Sequence, residues 1–276
     1  MVIEFSHTSP EFPVHEKWCE PYEWTLKEFK RNINDFQCAT NNEGWMPIYF
    51  ENHDKPRLVD HYFPQGYDKK MAAKLMAVLQ MCLRGTPFIY RGQEIGMTNV
   101  YFDDISFYDD ISSRTQYKTA LAGGYSKKEA LEAVHRFSRD NARTPMQWDN
   151  SEYAGFSKAK PWLNVNGNYK DINVEAQEKD HFSVLNFYRE LVKIRNNYPV
   201  LIDGKFKSYE DLRDDVYIFD RSNEKETVRI LLNFTDQETI IDNSYEDGMT
   251  LIFSNIENHS TRKLKPLEAA ILHKNN

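Results

Sequence analysis

The residues best suited to chemistry in this sequence of 276 residues are Asn52, His53 and Asp54, which follow the apolar run WMPIYF at positions 45–50 after the single residue Glu51. A carboxylate accepts hydrogen bonds from two neighbouring hydroxyl groups and an imidazole donates one, so Asp54 and His53 together could hold one sugar ring. The same tripeptide is also typical of a turn followed by a helix cap. The three residues alone leave both interpretations open.

Three arginines and a glutamate could complete such a site. Arg57 lies three residues after Asp54, where it is a surface charge, an ion-pair partner or a guanidinium that positions Asp54. Arg139 and Arg143 lie in the run RDNARTPMQW, and the rigid fork of donors on an arginine suits vicinal hydroxyls as well as a carboxylate. The alternative for both is an ion pair that holds a long loop. Glu94 follows a second apolar run and belongs to the site or is a solvated partner of a helix dipole.

The elements that must position these residues alternate along the first part of the chain. Apolar runs predict strands at residues 1–5, 45–50 and 86–90, the last two buried. Apolar residues at helical spacing predict helices at 22–36 and 68–83. Gly85, two residues after the second helix, is predicted to form its C-cap. Such alternation indicates parallel strands with helical crossovers, in which chemistry collects at the carboxyl ends of the strands. The polar residues 51–54 and 91–94 follow the second and third predicted strands and therefore lie at such ends.

An extended insertion is predicted between residues 100 and 157. It is expected to hold two helices, the second of which begins at a capping box formed by Ser126 and Glu129. Its aromatic side chains could stack on sugars, although such residues more often pin an insertion to the body of a protein. They include Tyr101, Phe102, Tyr108, Trp148 and Phe156.

Beyond Pro199 the sequence pattern changes from helical periodicity to short β-rich runs. A last amphipathic helix is predicted at 180–197, and short β-rich runs separated by polar turns follow it. We therefore expect one domain over residues 1–198 and a small antiparallel sheet domain over 199–276. The predicted strands are at 216–219, 228–234, 238–241, 250–253 and 269–272.

Composition narrows the class of protein. The net charge is −7 without a basic stripe, so a nucleic-acid partner is not expected. No run approaches the roughly 18–20 apolar residues of a membrane span, and the N-terminus lacks the pattern of a signal peptide. Cys19, Cys38 and Cys82 are an odd, scattered set that fits a reducing compartment, so we expect a cytoplasmic protein.

Three long motifs in order carry a family resemblance. The strings GWMPIYFENHDKPR, RGTPFIYRGQEIGMTN and SRDNARTPMQWD resemble the α-amylase clan, glycoside hydrolase family 13, and within it the oligo-1,6-glucosidase, dextran glucosidase and α-glucosidase group. The similarity continues through PWLNVNGNYKDINVEAQ to the final KPLEAAIL and covers essentially the whole chain.

The resemblance implies a partial (β/α)8 barrel, or TIM barrel, followed by a C-terminal antiparallel β-sandwich. Residues 1–5, 45–50 and 86–90 would be barrel strands six, seven and eight. Strands one to five would be missing, so the chain is expected to be a fragment. Retaining glycosidases need a nucleophilic carboxylate and a carboxylic acid about 5–5.5 Å apart. The family carries these after strands four and five, and neither motif is found here.

Roles for the remaining residues follow from the same resemblance. Asp54 matches the third carboxylate of the family, which stabilises the transition state, and His53 matches a histidine that helps it grip the sugar. Arg139 matches an arginine at the far hydroxyls of the non-reducing sugar. Arg143 and Glu94 match positions near the pocket rim. Arg57, which would position Asp54 in the interpretation given above, is also counted among the substrate-binding residues. No metal ion or cofactor is expected.

Two positions depart from the family pattern. Arg91 stands where relatives commonly have Gln, and Glu51 where they have Asn or a similar residue. Either the added charges alter the choice of substrate or they pair internally, and both possibilities stay open. Arg91 and Lys55 are also the nearby basic residues that could bind a phosphate.

The predicted function is retaining hydrolysis of terminal α-1,6- or related α-glucosidic bonds in oligosaccharides, with this chain inactive on its own. One alternative is a fragment of a trehalose-6-phosphate hydrolase. Another is a non-catalytic sugar-binding or scaffold half, whose exposed sheet edge would pair with a complementary N-terminal half or a second copy.

Overall fold

The computed structural model describes Cys19 and residues 24–41, 44–63, 65–209 and 213–276. The predicted strand at residues 1–5 lies outside this part of the chain. Helices and strands alternate first and an antiparallel sheet follows. The elements are α1 (Leu26–Ala39), β1 (Pro47–Ile48), α2 (Leu58–Tyr62), α3 (Lys69–Cys82), β2 (Thr86–Pro87), α4 (Ile111–Ala122), α5 (Lys127–Phe137), α6 (Asp140–Arg143), α7 (Val174–Lys179), α8 (Val184–Asn197), α9 (Val200–Asp203), β3 (Lys205–Ser208), β4 (Val216–Ser222), β5 (Glu226–Asn233), β6 (Thr239–Ile240), β7 (Thr250–Ser254), β8 (Lys263–Leu264) and β9 (Ala269–Asn275).

The long helices begin at side-chain caps. Thr25 accepts a hydrogen bond from the Glu28 amide and starts α1, four residues after the predicted start. Asp68 accepts from the amides of Lys70 and Met71 and starts α3. Ser183 accepts from the Asn186 amide and starts α8. Each cap satisfies amides that have no partner within the helix, which is why α1 and α8 begin later than predicted. The expected apolar stripe of α1 is buried.

Strands β1 and β2 are parallel, with Pro47 opposite Thr86 and Ile48 opposite Pro87. The parallel arrangement predicted from the alternation of elements is therefore confirmed. Both strands are shorter than predicted, and the expectation that residues 86–90 are buried is wrong, since Phe88 is 49% exposed. In the described part of the chain, β2 pairs with β1 alone.

Gly85 meets a packing requirement rather than the predicted helix cap. Leu83 is the C-cap of α3. Gly85 has φ +143°, and a Cβ atom there would lie 2.3 Å from the carbonyl oxygen of Met46 and 2.9 Å from Ile48. Only glycine lets the chain pass this close to β1 as it turns into β2.

The insertion holds α4 and α5 as predicted, with short helices and loops after them. The capping box is formed, because Ser126 and Glu129 each bond the other's backbone amide. A small apolar cluster around Val100, Tyr108 and Val134 closes the insertion on itself. None of the helices described is both long and apolar enough to cross a membrane.

The C-terminal part is an antiparallel sheet of five strands in the order β3-β4-β5-β9-β7. Successive side chains of β4 point to opposite faces, as the period of a strand requires. Tyr217 and Phe219 pack on the helices, whereas Val216 and Ile218 face a smaller cluster. Leu264 of β8 and Ile241, which follows β6, belong to that cluster, and β6 pairs with β8 in a separate two-stranded sheet. The predicted sandwich stays a prediction.

The sheet and the helices share one apolar core. The predicted boundary at residue 198 falls between α8 and α9, and it stays a prediction. The runs at 205–208 and 263–264 form strands that the sequence pattern did not indicate. Core members from both parts include Phe29, Leu75, Leu191, Phe219 and Ile230.

The side chain of His259 lies between two carboxylates in the sheet region and is 7% exposed. Its Nδ1 is 2.6 Å from Glu268 and its Nε2 is 2.8 Å from Glu246. The second oxygens of these carboxylates accept from the backbone amides of Lys265 and Arg262. Both ring nitrogens can donate only when the imidazole is protonated. The hydrogen bond to Glu268, helped by Glu246 and opposed by burial, raises the pKa of His259.

A raised pKa in the folded state makes the stabilisation by His259 depend on pH. The contribution is complete below the unfolded value of 6.5 and is lost as the pH rises through the raised folded value. We expect His259→Asn to lower the free energy of unfolding by about 2 kcal/mol at pH 5.5 and by clearly less at pH 9. Urea denaturation at the two pH values measures the difference.

The exposed His181 provides the control, and His181→Asn is expected to leave the free energy of unfolding unchanged at both pH values. An equal loss in His259→Asn at pH 5.5 and pH 9 would contradict a charged imidazole at this position.

Candidate active site

The tripeptide after β1 forms a turn that presents Asp54 to solvent. The side-chain oxygen of Asn52 accepts from the Asp54 amide at 2.8 Å, and the carbonyl of Asn52 accepts from the Lys55 amide at 3.3 Å. The turn interpretation is therefore confirmed. The helix-cap interpretation is not, because α2 begins after Arg57 without a side-chain cap.

The structure brings three of the predicted residues together around the carboxylate of the fourth, Asp54. Its Oδ1 accepts from Arg143 at 2.8 Å and lies 3.6 Å from Arg139. Its Oδ2 lies 3.2 Å from the Nε2 of His53, and Arg143 also donates to the His53 carbonyl at 2.8 Å. The carboxylate remains 47% exposed, so it keeps acceptor capacity for an incoming hydroxyl group. We call His53, Asp54, Arg139 and Arg143 the Asp54 cluster.

Arg139 is anchored from behind by Asp110, a residue that the sequence analysis missed. Its Nε and Nη2 donate to Oδ1 of Asp110 at 2.9 and 2.5 Å. Asp110 is buried and caps α4. Burial opposes ionisation of this carboxyl group, but hydrogen bonds from Arg139 and Ser113 outweigh it and lower its pKa. No local signal joins two residues 29 positions apart, so only the closed fold reveals the pair.

Asp140 fixes the backbone of the same anchor. Its Oδ2 accepts from the amides of Asp109 and Asp110 at 2.7 and 2.8 Å. The residue is completely buried, and within the described residues its Oδ1 has no hydrogen-bond partner. Burial raises the pKa of Asp140. The start of α6 is thus tied to the start of α4.

Arg57 is placed differently from the expectation. The side chain is fully buried, so it is neither a surface charge nor able to contact a sugar directly. Its guanidinium donates to Glu51 at 3.1 Å and to the carbonyls of Arg91 and Asn141 at 2.8 and 3.2 Å. No bond between Arg57 and Asp54 is found in the described part of the chain, so Arg57 does not position Asp54 by direct contact, and an indirect positioning role stays a prediction. The ion-pair interpretation is correct.

The two departures from the family pattern both pair internally. Glu51 accepts from Arg57 and from the Leu58 amide at 2.7 Å, and burial raises its pKa although Arg57 opposes the shift. Arg91 donates to the carbonyls of Thr144 and Ala142 at 2.8 and 3.1 Å. The charges therefore join the loops around the site to one another.

Glu94 lies in a short 3₁₀ helix, Gln93–Ile95, between two glycines with positive φ. One of its carboxylate oxygens is buried and has no hydrogen-bond partner among the residues described. The structure does not bring Glu94 into bonding contact with the described Asp54 cluster.

The aromatic residues of the insertion fall into two groups. Tyr108 is buried, donates to the Val100 carbonyl at 3.0 Å and packs with Phe102, so these two pin the insertion. Tyr101, Trp148 and Phe156 are about half exposed and remain open to a ligand. No group of three His, Cys, Asp or Glu side chains in the described ranges is arranged to hold a metal ion.

Comparison with known proteins shows which family this chain resembles in sequence and structure. Residues 1–204 match the model for the alpha-amylase catalytic domain. The chain is 41% identical over 253 residues to the "Probable oligo-1,6-glucosidase 3" of Bacillus subtilis (strain 168), and 35% identical over 280 residues to the oligo-1,6-glucosidase of Halalkalibacterium halodurans. A solved structure of Bacillus licheniformis trehalose-6-phosphate hydrolase matches with a TM-score of 0.91 at 32% identity.

These relatives are longer than the chain. The alignments cover 88% and 98% of this chain but 45% and 50% of the two glucosidases. The structural match covers 99% of this chain and 51% of the trehalose-6-phosphate hydrolase. The chain thus spans about half the length of the curated relatives that it matches.

The buried pair beneath the site gives a stability prediction. Replacing Arg57 by alanine leaves Glu51 buried without its counter-charge, and breaking a buried pair in this way typically costs about 3–5 kcal/mol. We expect a loss of that size in the free energy of unfolding of Arg57→Ala, measured by urea denaturation. Arg189→Ala, which breaks the exposed pair with Glu178, is the matched control and should show no comparable loss. Equal stability of the two variants would contradict the assignment.

Proposed function

This chain belongs to the α-amylase family, glycoside hydrolase family 13, in its oligo-1,6-glucosidase group, and from that premise we propose that the Asp54 cluster is the sugar-gripping part of a retaining α-glucosidase site. The observation that carries the proposal is the geometry of Asp54. A half-exposed carboxylate is held by Arg143 and faced by Arg139 and His53 at the carboxyl end of a parallel strand. Active sites of barrel enzymes lie at that end.

Each member of the cluster takes a distinct role in the proposal. Asp54 accepts hydrogen bonds from the two hydroxyls beside the anomeric carbon, and these bonds strengthen as the ring flattens toward an oxocarbenium ion. His53 donates to a neighbouring hydroxyl. Arg139 and Arg143 fix the Asp54 carboxylate, and the partly exposed edge of Arg139 is available to a distal hydroxyl of the terminal sugar. We keep Glu94 at the rim of the pocket, as the family resemblance implies.

Turnover needs two further carboxyl groups. A retaining mechanism requires a nucleophile and an acid/base about 5–5.5 Å apart, on either side of the glycosidic oxygen. The motifs that carry them in the family are not found in these 276 residues. We therefore propose that the chain binds the terminal glucose unit and does not hydrolyse the bond on its own.

The substrate class is proposed to be neutral oligosaccharides with terminal α-1,6- or related α-glucosidic bonds. The names of the glucosidase relatives support this class, and so does the position of Arg91. A phosphate pocket would need basic groups that face the ligand, whereas Arg91 is engaged by two backbone carbonyls. Burial lowers the pKa of Lys55 to about 8 although Asp54 opposes the shift, so Lys55 stays charged at neutral pH and is the remaining candidate for such a pocket. Cleavage of trehalose 6-phosphate is the less favoured alternative.

A second candidate function, a sugar-binding half that pairs with a complementary chain, is favoured by one observation. In the described residues β2 has a single neighbour, and Phe88, just beyond it, is half exposed. The relatives contain about as much additional polypeptide as this chain holds. We propose that the edge of β2 that is unpaired in the described residues packs against that additional part of the fold, supplied by the same polypeptide or by another.

Hydrolysis of p-nitrophenyl α-glucoside tests the first proposal. The purified 276-residue chain is expected to release no nitrophenol above the buffer rate, because loss of a nucleophile or an acid lowers kcat by roughly 10⁴–10⁶. Binding of methyl α-glucoside should persist, and Asp54→Asn should weaken it about tenfold, since a hydrogen bond to a charged group is lost. Asp35→Asn, an exposed change on α1, is the control. Robust release of nitrophenol that Asp54→Asn abolishes would overturn the claim that the chain is inactive.

The state of association tests the second candidate. We expect the purified chain to elute from a sizing column as more than a monomer, and Phe88→Ser to shift it toward monomer by removing apolar surface. Ile111→Ser is the matched control. Ile111 is more exposed than Phe88, but it lies at the start of α4 and not next to a strand. A clean monomer that unfolds cooperatively would count against a need for a partner.

A further inference from the structure

Trp162 is held by its edge while its ring faces solvent. The side chain is 70% exposed, although tryptophan carries one of the largest apolar surfaces of any residue. Its indole Nε1 donates to Oδ2 of Asp109 at 2.6 Å. The other oxygen of Asp109 lies 3.0 Å from Arg114, so the acceptor is itself held in place. The indole therefore has a fixed anchor at its polar edge.

The same frame holds the Asp54 cluster. Asp109 and Asp110 are consecutive, and both backbone amides donate to the buried Asp140. Asp110 anchors Arg139, which faces Asp54. A series of contacts thus leads from the indole ring of Trp162 through Asp109, Asp110 and Arg139 to the carboxylate of Asp54. The buried side chain of Asp140 fixes the backbone of Asp109 and Asp110.

Packing within the described residues does not account for this placement. A tryptophan that pins a loop buries its ring, as Trp24 does where it contacts Phe29 and Tyr62 edge to face. Trp45 has the guanidinium of Arg84 over its ring at 5.1 Å. Trp162 belongs to none of the apolar clusters of the described residues. An anchored ring with open faces is suited to a ligand that brings its own apolar surface.

We propose that Trp162 is a stacking platform for the second or third glucose unit of an α-glucosyl oligosaccharide whose terminal unit is held by the Asp54 cluster. The proposal rests on the proposed function. The C–H face of a glucose ring is apolar and packs on the face of an indole, while the hydroxyls at its rim stay in water. Because Asp109 already occupies the indole N–H, the ring loses little conformational freedom when the sugar binds.

Calorimetric titration with methyl α-glucoside and with isomaltotriose tests the platform. Trp162→Ala is expected to raise the Kd of isomaltotriose about three- to tenfold and to leave that of methyl α-glucoside unchanged. Trp162→Phe keeps an aromatic face and should lose less. Asp109→Asn, which weakens the anchor, should fall between them. Phe182→Ala is the matched control, because Phe182 is 59% exposed and its backbone amide bonds Asp180, away from this series of contacts.

The outcomes separate the platform from the proposed function. Unchanged isomaltotriose affinity in Trp162→Ala, with methyl α-glucoside binding that still depends on Asp54, overturns the platform alone. Equal weakening of both sugars by Trp162→Ala also overturns it, since a platform for the second unit cannot act on a single sugar. Loss confined to isomaltotriose while Asp54→Asn changes nothing supports the platform and overturns the role of Asp54. Absence of binding of either sugar to the unaltered chain overturns both.

Discussion

Arg57 joins three segments of the chain that lie far apart in sequence. Its guanidinium donates to Glu51 after β1, to the Arg91 carbonyl after β2 and to the Asn141 carbonyl in α6. A buried arginine must satisfy its donors inside the protein, so these three loops can close over it in few ways. The turn that presents Asp54 begins directly after Glu51. The position of the exposed carboxylate therefore depends on a charge pair that never meets solvent.

The insertion contributes the second support. Asp110 combines two functions, because one carboxylate caps α4 and anchors Arg139. Asp140 accepts from the backbone behind it. In our proposal the sugar is contacted by Asp54 and its neighbours, which are partly exposed. The residues that hold them in place, Asp110 and Asp140, are buried. A site of this kind is preorganised, since its hydrogen bonds are formed before any ligand arrives.

Asp54 and Phe88 share a feature that links the two proposed functions. Each follows the carboxyl end of one of a pair of parallel strands, and each is about half exposed. A strand that enters a closed barrel has neighbours on both sides, whereas β2 has one in the described residues. The open carboxylate and the open apolar surface both suit a sheet that continues in the additional half of the relatives.

The sequence by itself indicated the five longer helices, the capping box and the parallel order of β1 and β2 through local periodicity, and it indicated the residues of the Asp54 cluster through motifs, whereas the short helices α2, α6, α7 and α9 were not predicted. Tertiary structure decided burial and partners. Arg57 lies in a motif, but the structure shows that it pairs with Glu51. Residue 85 must be glycine because the chain passes close to β1 there. Asp110 contacts Arg139, which lies 29 positions away in the sequence. A charged side chain takes whichever partner the closed fold brings within about 3 Å, and sequence spacing does not encode that distance.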